Sequence, residues 1–76
     1  MSSPETTLQM AQRHVAEGQE RISRQEALIT KLTLDGHDRM LPDANALLDQ
    51  LREVLAMSEA HLARLVFEGL SSSVPN

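Results

Sequence analysis

Apolar residues in the first half of the chain recur with the spacing of a helix that packs along one side. Two series, three residues apart, each repeat every seven residues: Leu8, Val15, Ile22 and Ile29, then Ala11, Gly18, Gln25 and Leu32. These are the a and d positions of a heptad repeat, the pattern of α-helices that pack side by side. The spacing therefore predicts a helix over about residues 4–34.

Capping signals flank this first helix. Ser3-Pro4-Glu5 is typical of a helix start, with a hydroxyl N-cap, proline at the first helical position and an acid near the positive end of the helix dipole. Thr6 and Thr7 are alternative caps, which leaves the start open by a few residues. Gly36 follows the pattern at the place where a residue in the left-handed conformation commonly ends a helix.

The second half of the chain repeats the pattern. Its a and d series are Leu41, Leu48, Leu55 and Leu62, then Ala44, Leu51, Ser58 and Leu65. Pro42 is expected in the first turn, because further along it would remove a helix hydrogen bond. We therefore predict one domain over residues 1–76, with a turn at about 35–40, a helix at about 41–68 and a flexible polar tail at 69–76.

The two patterns match each other when the helices run antiparallel. In such a pair, residue numbers rise along one helix and fall along the other, so the numbers of any two facing residues add up to the same value. Gly18 then lies opposite Leu55, and Gln25 lies opposite Leu48. Gly18 lets Leu55 approach the backbone of the first helix. Two interpretations of Gln25 remain open: a buried amide that fixes the register, or a long side chain whose amide reaches water. The prediction is an all-α, antiparallel two-helix hairpin of the coiled-coil type.

The two flanks of the predicted seam differ in character. Leu28, Leu47 and Val54 occupy g positions, which face one another across an antiparallel pair. The e positions on the other flank carry Gln12, Gln19, Glu26, Asn45, Arg52 and Glu59. We expect the g flank to meet a second copy, so that two hairpins form a four-helix bundle. The apolar residues near the open end of the hairpin are a place where another protein could dock: Val66, Phe67 and Leu70.

Composition limits the classes of function. The chain has 76 residues, no cysteine and a net charge of −4, and its basic residues are scattered. Such a small chain without disulfides commonly depends on close helix packing or on oligomerisation. With a single aromatic residue and no basic stripe, nucleic-acid binding is not expected. No apolar run is long enough to span a bilayer and no signal peptide is visible, so no membrane partner and a cytoplasmic location are expected.

His14 and His61 also share the g positions, and the antiparallel geometry puts them opposite each other. In a symmetric dimer, four imidazoles would lie near the two-fold axis, where they could bind a metal or respond to pH. This histidine-based sensor is the alternative to the hypothesis of an interaction module. The simpler interpretation is that two ordinary histidines border a helix interface, because no acid or thiolate is placed to complete a metal site.

The bend contains a small cluster of titratable residues: Asp35, His37 and Asp38, around Gly36. We interpret it as turn chemistry, in which Gly36 takes a positive φ and the short acids bond free backbone amides. No nucleophile with a neighbouring base, phosphate loop or zinc motif is present. The sequence therefore predicts a non-enzymatic protein without a cofactor.

Three segments carry a resemblance to other proteins: "HVAEGQERISRQEALITKL", "GHD" and "ALLDQLREVLAMSEAHLARL". From about His14 to Leu65 the chain resembles a group of small, uncharacterised helical proteins of alphaproteobacteria. The resemblance implies a helical hairpin and brings no activity with it.

From the residues we therefore expect a self-associating interaction module, with a regulatory role as one option. Its predicted interface consists of Leu28, Leu47, Val54, His14 and His61.

Overall fold

Two long helices and a short bend make up the described chain. The computed structural model describes the backbone of residues 5–72 and the side chains of residues 5–69. Helix α1 spans Thr7–Leu34 and helix α2 spans Leu41–Ser72, and the two pack against each other along their length. Residues 5–72 contain no strand. The predicted all-α antiparallel hairpin is confirmed.

Helix α1 begins with a capping box. The Thr6 hydroxyl accepts a hydrogen bond from the backbone N–H of Gln9 at 3.1 Å, and the Gln9 side chain accepts one from the Thr6 N–H at 2.9 Å. This reciprocal pair satisfies two amides that a helix start leaves unbonded. The helix therefore starts at Thr7, after the alternative cap, rather than near residue 4; Ser3 and Pro4 lie outside the described residues.

Helix α1 ends as a Schellman motif around Gly36. The His37 N–H donates to the Leu32 carbonyl at 2.9 Å, and the Gly36 N–H donates to the Thr33 carbonyl at 3.3 Å. Gly36 has a φ of 76°, a conformation in which the Cβ of another residue would crowd the following carbonyl. The left-handed cap expected at Gly36 is present.

A single 3₁₀ turn, Asp38–Met40, leads directly into α2. The Met40 N–H donates to the His37 carbonyl at 3.1 Å, and the Leu41 N–H donates to the Asp38 carbonyl. Pro42 is the second residue of α2, in the first turn as predicted. At its other end α2 reaches Ser72, so residues 69–72 are helical and the prediction of a tail from residue 69 is wrong there. Residues 73–76 lie outside the described part.

The seam between the helices follows the predicted heptads. The buried side chains among the described residues all come from a and d positions: Ala11, Gln25, Leu32, Ala44 and Leu48. Gly18 faces Leu55 as expected, since a methyl carbon added to Gly18 would lie 3.2 Å from Cδ1 of Leu55. The pairing of the two helices in the register predicted from their sequence is therefore observed.

Gln25 is buried, with 8% of its surface exposed. Its Nε2 donates a hydrogen bond of 2.8 Å to the carbonyl oxygen of Ala44 on α2. Helix carbonyls point toward the C-terminus, so this oxygen lies beside the amide of Leu48, the residue predicted to face Gln25. Of the two interpretations left open by the sequence, the buried amide is the one that the structure shows.

We predict that Gly36→Ala lowers the free energy of unfolding by about 1–2 kcal/mol, because alanine pays the left-handed penalty that glycine avoids. Gly36→Asn should lose less, since asparagine tolerates this conformation better. Apart from the adjoining residues and the local helix backbone, no atom lies within 4 Å of a Cβ added at Gly36 or at Gly69, so Gly69→Ala, within helix α2, is the matched control. It should be neutral or stabilising by up to about 1 kcal/mol. Equal effects of the two alanines in urea denaturation would contradict the cap.

We predict that Gly18→Ala changes stability little, whereas Gly18→Leu lowers it by about 1–3 kcal/mol through overpacking. Alanine gains about 1 kcal/mol of helix propensity, which offsets the small shift forced on Leu55. Gly69→Leu, which places the same side chain in open space, is the control and should cost nothing. Urea denaturation measures all three variants, and a Gly18→Leu chain as stable as the parent would rule out close packing at Leu55.

Candidate interaction surface

The g positions form one face of the hairpin, which we call the apolar face. Leu28, Leu47 and Val54 lie on it, with 45%, 46% and 56% of their surfaces exposed. Met40, seven residues before Leu47, continues the same line and is 55% exposed. The predicted interface does not include Met40, because methionines are more often gap fillers or partly exposed residues than parts of a binding surface; the spacing of seven between Met40 and Leu47 is the signal that could have found it.

Two neighbouring grooves run along the apolar face in the half nearest the bend. They have volumes of about 380 and 290 Å³, and both are lined by Gln25, Leu28 and Leu47. The first also touches Leu51 and two arginines, and the second also touches Leu32, Ala44 and Met40. Because they share three side chains, the grooves adjoin and form one depression with a mainly apolar lining, and Gln25 contributes to both of its halves.

Charged residues line the edges of this depression. On the α1 edge, Arg24 pairs with Glu20 at 3.4 Å, and Lys31 occupies the equivalent position one heptad later. On the α2 edge lies Asp43, which contributes to the groove wall. Neither Lys31 nor Asp43 has an ion-pair partner within residues 5–69. Near the bend the α1 edge therefore carries the Lys31 ammonium, and the α2 edge carries the Asp43 carboxylate together with the Arg39 guanidinium.

The opposite face of the hairpin carries the polar e positions. There Arg52 Nη2 lies 3.4 Å from Glu26 Oε2, an ion pair that joins the two helices. Both side chains are more than half exposed, so the pair contributes little to stability. The difference in character between the two flanks, expected from the sequence, is present.

The two histidines of the predicted interface are both exposed. His14 lines a depression of about 280 Å³ together with Glu17, Arg21 and Val54, and His61 is not among its lining residues. In the part of the chain with described side chains, no group of three or more His, Cys, Asp or Glu residues is arranged to hold a metal ion. The metal or pH sensor thus stays a prediction.

At the bend, Gly36, His37 and Asp38 line an open depression of about 510 Å³ with Arg39 and Met40, and all five are exposed. The short acids do not cap free amides as expected: neither Asp35 nor Asp38 makes a side-chain hydrogen bond among the described residues. Backbone carbonyls of the Schellman motif and of the 3₁₀ turn bond most of those amides instead.

The open end of the hairpin exposes Val66 and Phe67, with 44% and 68% of their surfaces accessible. In the observed register, Thr7 lies level with Val66, so the residues of α2 from Phe67 onward extend past the start of α1. The side chain of Leu70, the third member of this predicted docking site, lies outside the described side chains. Among the residues that the structure describes, no helix lies beside this end of α2.

Comparison with known proteins gives no assignment. No family model matches the chain, and neither the curated proteins nor the solved structures contain a match to it. The resemblance to alphaproteobacterial proteins stays a prediction. Within the described residues, neither helix has the length and hydropathy needed to cross a bilayer.

Proposed function

We propose that this chain is a non-enzymatic helical interaction module that self-associates through its apolar face into a four-helix bundle. The observation that carries the proposal is the line of apolar side chains left exposed along one face. Leu28, Leu47 and Val54 lie at g positions of the two helices and keep 45%, 46% and 56% of their surfaces exposed. Single exposed apolar residues are common, but a contiguous apolar patch on a small protein marks a site of association.

The architecture supports a partner on a broad face. The described residues form a single layer of two packed helices, whereas domains generally enclose a core between two layers. A second hairpin laid on the apolar face supplies the missing layer and produces a four-helix bundle.

A second copy of this chain suits the face because the face is self-complementary. A two-fold dimer uses the same patch on both subunits, so apolar side chains must meet apolar side chains. Leu28 and Leu47 flank the depression on opposite helices, and each can pack beside the groove of the other chain. The chain also has no cysteine for a stabilising disulfide, and association is a common solution for a core this small.

We predict that Leu47→Glu and Val54→Glu each raise the dimer dissociation constant by about 100-fold or more, because each buries an unpaired carboxylate in the interface. Ala56→Glu is the matched control: it adds the same charge to the same helix, at an exposed position turned toward the polar face, and should leave association unchanged. Sedimentation equilibrium measures the constants, and circular dichroism confirms that each variant is helical.

Two results would contradict the proposal. One is a parent chain that stays monomeric at millimolar concentration while fully helical. This would show that the hairpin is stable with its apolar face exposed to water. The other is a dimer that both glutamates leave as tight as the Ala56→Glu control, which would place the contact away from the apolar face.

A further inference from the structure

We propose that the two copies stack with their bends at the same end, so that α1 of each chain packs against α2 of the other. This inference rests on the proposed self-association and adds its orientation. When the helices of the two layers run along the same direction, as in a four-helix bundle, two stacked hairpins related by a two-fold axis have only two arrangements. With the axis along the helices the bends lie together, and with the axis across the helices they lie at opposite ends.

The distribution of apolar side chains favours the first arrangement. Leu28, Met40 and Leu47 occupy the g positions of the bend half, whereas His14 and His61 occupy them toward the open end. Stacking with the bends together places the apolar half of one chain on the apolar half of the other. With the bends apart, Leu28 would lie over the part of α1 that holds His14, and less apolar area would leave water.

The charges at the edges favour the same arrangement. An axis along the helices keeps every residue at its own height, so Lys31 of one chain meets the second copy near Asp43, which lies level with it in the observed register. Both groups lack an ion-pair partner within the described hairpin. With the bends apart, α1 packs on α1, and Lys31 would face the region of Met10 instead.

Spin-label distances test the orientation directly, because the chain has no cysteine and a single introduced one is a unique label site. Leu34→Cys places the label at the last residue of α1, 81% exposed and away from the apolar face. Glu20→Cys is the matched control, two heptads earlier on the same side of the helix and near its middle. With the bends together, both labels should report similar distances between chains, about 30 Å, set by helix diameters.

With the bends apart, the Leu34→Cys labels would be separated by about the length of α1, roughly 40 Å or more, while the Glu20→Cys labels stay close. That result, in a sample with dimer mass, would overturn the orientation and leave self-association standing. A monomer mass together with no coupling between chains would overturn the self-association itself.

Charge reversal gives an independent test. Lys31→Glu and Asp43→Lys should each weaken the dimer by about two- to five-fold, the size expected of a surface ion pair. The double variant should bind more tightly than either single variant, because the two charges meet again with exchanged signs. Additive losses in the double variant would contradict the contact between Lys31 and Asp43 of the second copy.

Discussion

The rest of this structure depends on one constraint: two helices share a single seam. Each helix can bury only its a and d side chains against the other, and even these are not fully covered, since the five buried residues of the described part keep 4–8% of their surface exposed. The apolar g positions of the described hairpin are only about half covered, since Leu28, Leu47 and Val54 keep 45–56% of their surfaces exposed. The exposed leucines of the apolar face, and the proposal of a second copy upon it, follow from this shortage of partners.

The sequence predicted the seam well because helix packing imposes a period that few other structures share. Leu32, Ala44 and Leu48 were assigned to the buried side from spacing alone, and the pairing of Gly18 with Leu55 followed from a constant sum. The ends of the helices were predicted less well. Several hydroxyls near the start of α1 are suitable caps, and Thr6 is the cap because it forms a reciprocal pair of hydrogen bonds with Gln9. The spacing of the apolar residues does not distinguish between these hydroxyls.

The candidate surface was predictable from the same heptad spacing, and only for residues that lie within the heptads. The heptad positions identify Leu28, Leu47 and Val54, whereas Met40 is missed because a lone methionine is more often a gap filler than part of a binding surface. The carboxylates of the bend were expected to cap amides, and backbone carbonyls do so instead. Turn chemistry of this kind depends on φ and ψ at a few residues, which a pattern of residue types constrains weakly.

The residues that specify the register are not the leucines. The a series of α2 repeats leucine at Leu41, Leu48, Leu55 and Leu62, so apolar contacts alone distinguish poorly between positions one heptad apart. Gln25 reduces this degeneracy, because its Nε2 reaches a backbone carbonyl beside the small side chain of Ala44. A shift of one heptad that brought Leu51 to this place would crowd the amide, and a buried amide left unbonded costs about 1–3 kcal/mol. Gly18 acts in the same direction, since it is the one residue of its series that admits a leucine so close to the helix backbone. Specificity in this seam therefore comes from its least hydrophobic positions, while the leucines supply most of the burial.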